Sequence, residues 1–301
     1  MAGKTRTPIH SGISNSYLLA LYMHGTPMGN VFFVHSTRGT NSSGYGFTPD
    51  APVASIDYAI GLTTADNDDW IVVLPGHTET ITGAAGVGLD VAGVTIVGLG
   101  KGRQRGKVNY TTAVGASFDV TAARCRVENL VFTPTGFDAI TAAINVQAAD
   151  FSLIGCELEL ANATNQAVLG ILTTAAADRM LIQGCHIHGT TDAGTATAIR
   201  IVGGTDAQII DNTIVGAYTT TLGGIDQNTT AAVNTIVNGN RISNQTASSA
   251  KAMVFSSSST PIITNNRLTI LSGTAPITAA AGFVGGNTYA AAAGVTAATA
   301  I

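Results

Sequence analysis

Short runs of alternating apolar and polar residues fill most of the chain, and each run is broken by Gly, Asn, Asp or Thr. Alternation with period two marks a strand with one buried face. The runs fall into two series. One ends near Asn or Cys, as in Leu153-Ile-Gly-Cys156, Ile182-Gln-Gly-Cys185, Ile209-Ile-Asp-Asn212 and Ile263-Thr-Asn-Asn266. Its anchors at 129, 156, 185, 212, 240, 266 and 287 differ by 27, 29, 27, 28, 26 and 21. The other is an apolar-polar-apolar strand, as in Phe118-Asp-Val120, Ile144-Asn-Val146, Ile199-Arg-Ile201 and Met253-Val-Phe255. Its anchors at 89, 118, 144, 171, 199, 225, 253 and 277 differ by 29, 26, 27, 28, 26, 28 and 24.

Two strand series sharing a period near 27 predict an all-β solenoid, a parallel β-helix with one coil per repeat. Each strand pairs with its equivalent one coil away, and no coil buries its apolar face alone. The pattern places Ile199 inside the stack and Arg200 outside, with Asp226 beside Arg200 one coil on as a surface ion pair. Asn212, Asn240, Asn266 and Asn287 share one register and predict an internal hydrogen-bonded ladder, with Cys156 and Cys185 in the same slot. Cys125, Cys156 and Cys185 read as buried free thiols, because their count is odd and their spacing wide.

Before the coils, Val31-Phe-Phe-Val-His35 reads as a strand, Val53–Ile60 as a short helix, and Asp69–Gly76 as a strand ending in a turn. These form a cap over an otherwise open solenoid end. The chain divides into an arm (1–30), the cap (31–80), the coils (81–290) and an alanine-rich tail (291–301). The arm joins Lys4, Arg6 and His10 to the apolar Tyr17–Met23 and reads as a particle attachment or oligomer contact. The uncharged tail reads as closing the last coil or lying in a subunit interface.

Composition narrows the partners. Charged residues are 11% and the net charge is -4. The basic run Lys101-Gly-Arg-Gln-Arg105-Gly-Lys107 reads as a solvated loop, so nucleic acid is not expected as a partner. No apolar run reaches the ~20 residues of a membrane span, and the start lacks the pattern of a secretory signal. The expectation is synthesis in the cytoplasm.

The order VFFVHS…GFTPDAPVASIDYAI…DDWIVVLPGHTETI, followed by coils to about residue 290, resembles pectin-lyase-like right-handed parallel β-helix proteins. With LDVAGVTIVGLG it bears a closer likeness to β-helix proteins encoded among bacteriophage virion genes. The resemblance implies a right-handed coil and a virion protein: a capsid decoration, head-associated or fibre-like component without catalysis. It also implies contacts with other virion proteins, a homo-oligomer with a trimer preferred, and location in the virion. The alternative it leaves open is a carbohydrate-binding or depolymerising tail spike, a polysaccharide lyase or hydrolase, with a glycan as partner.

Candidate chemistry is sparse. Asp150, Asp178 and Asp206 share a register with Asn234, which fits turn capping better than acid–base catalysis. Cys185-His-Ile-His188 with Asp192 suggests a metal, but His186 and His188 are two ligands and no third is evident, so they read as solvent-facing strand residues. His77 follows the Pro75-Gly76 turn without further signal. Trp70, the one tryptophan, lies in the cap, which leaves few platforms for stacking sugars. No catalytic, cofactor or metal residue is assigned, and no cofactor is expected.

Overall fold

The computed structural model describes residues 29–110, 114–133, 139–160, 166–189, 195–219, 222–227, 230–247, 250–271, 275–279, 281–291 and 299–300. Most of the arm, Asp192 and most of the tail therefore lie outside the described residues.

The strands stack into three parallel sheets of ten, eight and ten strands, each continuing along one axis. The chain is a parallel β-solenoid. The first sheet starts at Val31–Val34 and Trp70–Val73, which pair in register with each other and then with Thr95–Gly98. The cap strand is thus itself a rung of the solenoid. Stacking also begins upstream of residue 81 in the third sheet, where Thr78–Ile81 pairs with Lys107–Tyr110.

The second sheet carries the second sequence series. Phe118, Ile144, Ile171, Ile199, Ile225, Met253 and Ile277 form one column in register. All but Ile277 are fully buried. Leu89 is displaced from this column: Val87 pairs with Phe118, and Leu89 with Val120. The displacement is two residues, so both still face the core.

Two corners in most coils are turned by residues with positive φ. Between the first and third sheets these are Asn129, Gly155, Gly184, Asp211, Gly239, Asn265 and Gly286, with φ from 54° to 69°. Gly lacks the Cβ clash, and Asn and Asp tolerate this region better than other side chains. The residue after each turns inward: Leu130, Cys156, Cys185, Asn212, Asn240, Asn266 and Asn287. Asn129 is therefore the turn residue, and the ladder slot in its coil belongs to Leu130, one position later than the sequence series placed it.

The helix α1 (Ile56–Ile60) covers the N-terminal end of the core with Ile56, Ala59 and Ile60. Ser55 caps it by accepting a hydrogen bond from the Tyr58 N–H. Inward-facing Glu79 accepts from the Ile56 N–H at 2.7 Å and lies 3.0 Å from His77 Nε2. The Ser36 N–H donates to His77 Nδ1, so the imidazole proton sits on Nε2 and is donated to Glu79. His77, featureless in the sequence, is a buried strut that lets a carboxylate sit under the helix.

At the other end, Thr299–Ala300 pairs antiparallel with Thr288–Ala291 and closes the edge of the third sheet. The last strand of the first sheet, Phe283–Gly285, has no further neighbour among the described residues.

Candidate functional site

The acidic register is not the one the spacing suggests. Strand pairing aligns Arg124, Asp150, Arg179, Asp206 and Asn234 at the corner between the second and first sheets. All five have φ between 54° and 60°. Asp178 is one residue out of this column, because Arg179 adopts the left-handed turn that sequence reasoning reserves for Asp or Asn. Arg179 holds Asp150 through two bonds of 2.6 and 2.9 Å. Arg124 pairs with Asp66 at 2.5 Å, and Asn234 donates to Asp206 at 3.2 Å. Asp178 accepts from both the backbone and the hydroxyl of Thr205 in the next coil. The Arg179 guanidinium holds the Asp150 carboxyl below the usual carboxylate range. These acids cap turns and pair with arginines along the axis. Asp66, Asp68, Arg124, Arg126 and Asp150 line a shallow open groove beside this corner that contains no aromatic side chain.

Arg200 and Asp226 are paired across coils, at 2.8 Å. The pair is not a surface one, since Asp226 is 0% exposed. Its neighbours Ile225 and Gln227 are also fully buried, so the outer side of this strand is covered as well as the inner. Breaking such a pair costs far more than breaking an exposed one.

The three thiols are buried and free. Cys156 and Cys185 occupy equivalent slots one coil apart, and burial pushes the Cys185 thiol up to about 11 and the Cys156 thiol higher still. Such thiols are poor nucleophiles. Trp70 packs with Phe33, Val72, Leu74 and Val97 in a satellite cluster on the outer side of the first sheet, so its ring offers no exposed platform.

The third sheet brings chemistry together that neither chain segment shows alone. His186 and His188 lie on the strand His186–His188 with Ile187 inward between them. Their rings stack with centroids 4.6 Å apart. The neighbouring strand Glu157–Glu159 places Glu157 in register with His186 and Glu159 with His188. Glu157 Oε1 lies 3.1 Å from His188 Nε2. The other oxygen, Oε2, accepts from Arg105 at 3.0 Å. Arg105 also donates to the carbonyls of Leu130 and Gly155, both at 2.9 Å. Its side chain is only 14% exposed, so this residue of the basic run is not solvated; it is tied down on three acceptors. Partial burial, with His188 and Arg105 nearby, lowers the pKa of His186 and favours its neutral ring.

Among the described residues, Glu157, His186 and His188 are the group whose ligand-type atoms all lie within 4.8 Å of one another. Asp192, noted near the histidines in the sequence where no third ligand was evident, lies outside the described residues. Glu157 was missed because it lies a coil away. The signal was present: Cys156 and Cys185 share a slot, so the residues after them, Glu157 and His186, must be neighbours.

Comparison with protein-family models, with curated proteins and with solved structures gives no match.

Proposed function

We propose that this chain is a structural component of a bacteriophage particle, of the capsid-decoration or fibre kind, which assembles with copies of itself, a trimer being preferred. The observation that supports assembly is the C-terminal end of the first sheet. There Ile262 and Phe283 face outward in register, 40% and 61% exposed, and Val233 on the preceding rung is 44% exposed. Val284 continues the inward Ile263 column yet is 38% exposed, and no further rung follows it among the described residues. Contiguous exposed apolar side chains beside an open strand edge mark an association surface. The low charge and the resemblance of the opening segment to virion-encoded β-helices point the same way.

The depolymerase alternative needs two carboxylates free to act on a sugar. Asp150, Asp178, Asp206 and Asp226 are instead engaged by Arg179, Thr205, Asn234 and Arg200.

The test has two arms. Light scattering on the full chain is expected to show an oligomer that the double variant Ile262→Lys/Phe283→Asp converts to a folded monomer. Mass spectrometry of purified particles is expected to find the chain at a fixed copy number. A monomeric wild type absent from particles would overturn the reading. So would polysaccharide depolymerisation that Asp178→Asn or Asp206→Asn abolishes.

A further inference from the structure

We propose that Glu157, His186 and His188 form a binding site for a divalent transition-metal ion of the zinc class on the outer face of the third sheet. Two imidazoles and one carboxylate are the donor set that zinc accepts when it keeps an open position. Softer ions prefer thiolates, and the chain's thiols are buried in the core; harder ions prefer an all-oxygen shell. Imidazole with carboxylate therefore favours zinc, with cobalt and nickel as substitutes.

The geometry supports this beyond residue type. The strand fixes His186 and His188 on one side through its period of two, and the coil register fixes Glu157 beside His186. Donor atoms around a tetrahedral zinc lie about 3.3 Å apart, given bonds of about 2.0–2.1 Å. The 4.8 Å envelope of this trio closes to that by rotation of the exposed His186 and the half-buried Glu157 and His188 side chains. The contact between Glu157 Oε1 and His188 Nε2, 3.1 Å, is already near a ligand–ligand distance. On binding, the neutral His188 ring takes the tautomer with its one proton on Nδ1, so that Nε2 offers its lone pair to the ion in place of the contact with Glu157.

Arg105 supplies the supporting layer. It holds Oε2 of Glu157 while anchored on two backbone carbonyls, so the carboxylate is oriented before an ion arrives. Its positive charge opposes a cation, and the Glu157 carboxylate that it holds carries the compensating negative charge. His186 is exposed, so the remaining coordination position faces solvent. The three ligands come from two coils, and the ion would staple one coil to the next.

The experiment is calorimetric titration of zinc chloride into chelator-stripped full-length protein, with circular dichroism confirming that each variant is folded. One ion per chain is expected. His186→Ala and His188→Ala should each remove saturable binding, and Glu157→Gln should weaken it by about tenfold or more. Cobalt in place of zinc should give visible absorption bands of low coordination number, lost in the same variants. The double variant His10→Ala/His24→Ala should bind as wild type does. Absence of saturable binding by the wild type would overturn the proposal. So would binding that survives His186→Ala and His188→Ala, or that disappears with His10 and His24.

Discussion

Asn212 makes two hydrogen bonds to one atom of Asn240: its backbone N–H reaches Oδ1 at 2.9 Å and its side-chain amide reaches the same oxygen at 3.0 Å. Asn240 does the same to Asn266, and Asn266 to Asn287. Each amide also donates to a first-sheet carbonyl one coil back: Ile182, Ile209, Val237 and Ile263 in turn. The ladder thus pays the hydrogen-bonding debt of a corner buried in the core.

Asn240→Ala should be among the most damaging changes in the chain. It removes the acceptor of two Asn212 donors and leaves the Ile209 carbonyl without its amide. Each buried group left unsatisfied costs about 1–3 kcal/mol. A loss of about 3 kcal/mol or more in chemical denaturation is expected. A change below about 1 kcal/mol would mean the ladder contributes little.

Gly239 and Gly184 occupy the same corner but should respond oppositely. A Cβ on Gly239 would lie 2.2 Å from Asp211 Oδ1, whereas nothing lies within 4 Å of the same position on Gly184. Gly239→Ala makes the exposed Asp211 carboxylate swing aside and adds the cost of a left-handed alanine, together about 1–2 kcal/mol. Gly184→Asn places at φ 63° a residue type that Asn129 and Asn265 already show there, and its melting temperature should barely move. Equal effects of the two substitutions would contradict the corner assignment.

Ile199→Asp places a carboxylate in a column between Ile171 and Ile225, at 0% exposure. No cation faces the interior at that rung, so the charge is uncompensated. The expected cost is about 3–5 kcal/mol, read as a collapse of the thermal transition or insoluble expression. Unchanged melting would put this residue outside the core.

The Asp150–Arg179 pair predicts a weak acid dependence. The folded pKa of Asp150 is depressed, so its contribution is present above the ordinary aspartate value of about 3.9 and is lost as pH falls through the lower folded value. Arg179 is half exposed, so solvent screens the effect. In an NMR titration, Arg179→Ala should move the Asp150 carboxyl upward, and the part of the acid-side loss of stability that this pair contributes should disappear, the variant being less stable than wild type above that range and equal to it below. An unmoved Asp150 would show that the pair does not form in solution.

The columns were legible because a period near 27 repeats in two phases, and inward residues such as Ile144, Ile171 and Ile199 reveal themselves by alternation. The ladder was legible because Asn is rare in cores unless it stacks. The corner column was misread at Arg179 because propensity assigns left-handed turns to Asp, and here a cross-coil ion pair outweighs it. The depth of Asp226 was hidden because alternation says which way a side chain points and nothing of what lies over it. The grouping of Glu157 with His186 and His188 was missed because ligand spacing was sought along the strand, while a solenoid places neighbours one coil apart.

The two C-terminal edges differ in a way that decides how copies can join. Thr299–Ala300 lies antiparallel on the third sheet, while Phe283–Gly285 leaves the first sheet open. A second solenoid added end to end would have to continue all three sheets as parallel strands, and the reversed strand denies it one of them. The reversed strand at one end and the helix over the core at the other thus both oppose growth along the axis. In the proposed assembly copies would then meet through their lateral faces, where Ile262 and Phe283 lie, and such a contact stops at a fixed number of copies when its rotation closes around a symmetry axis.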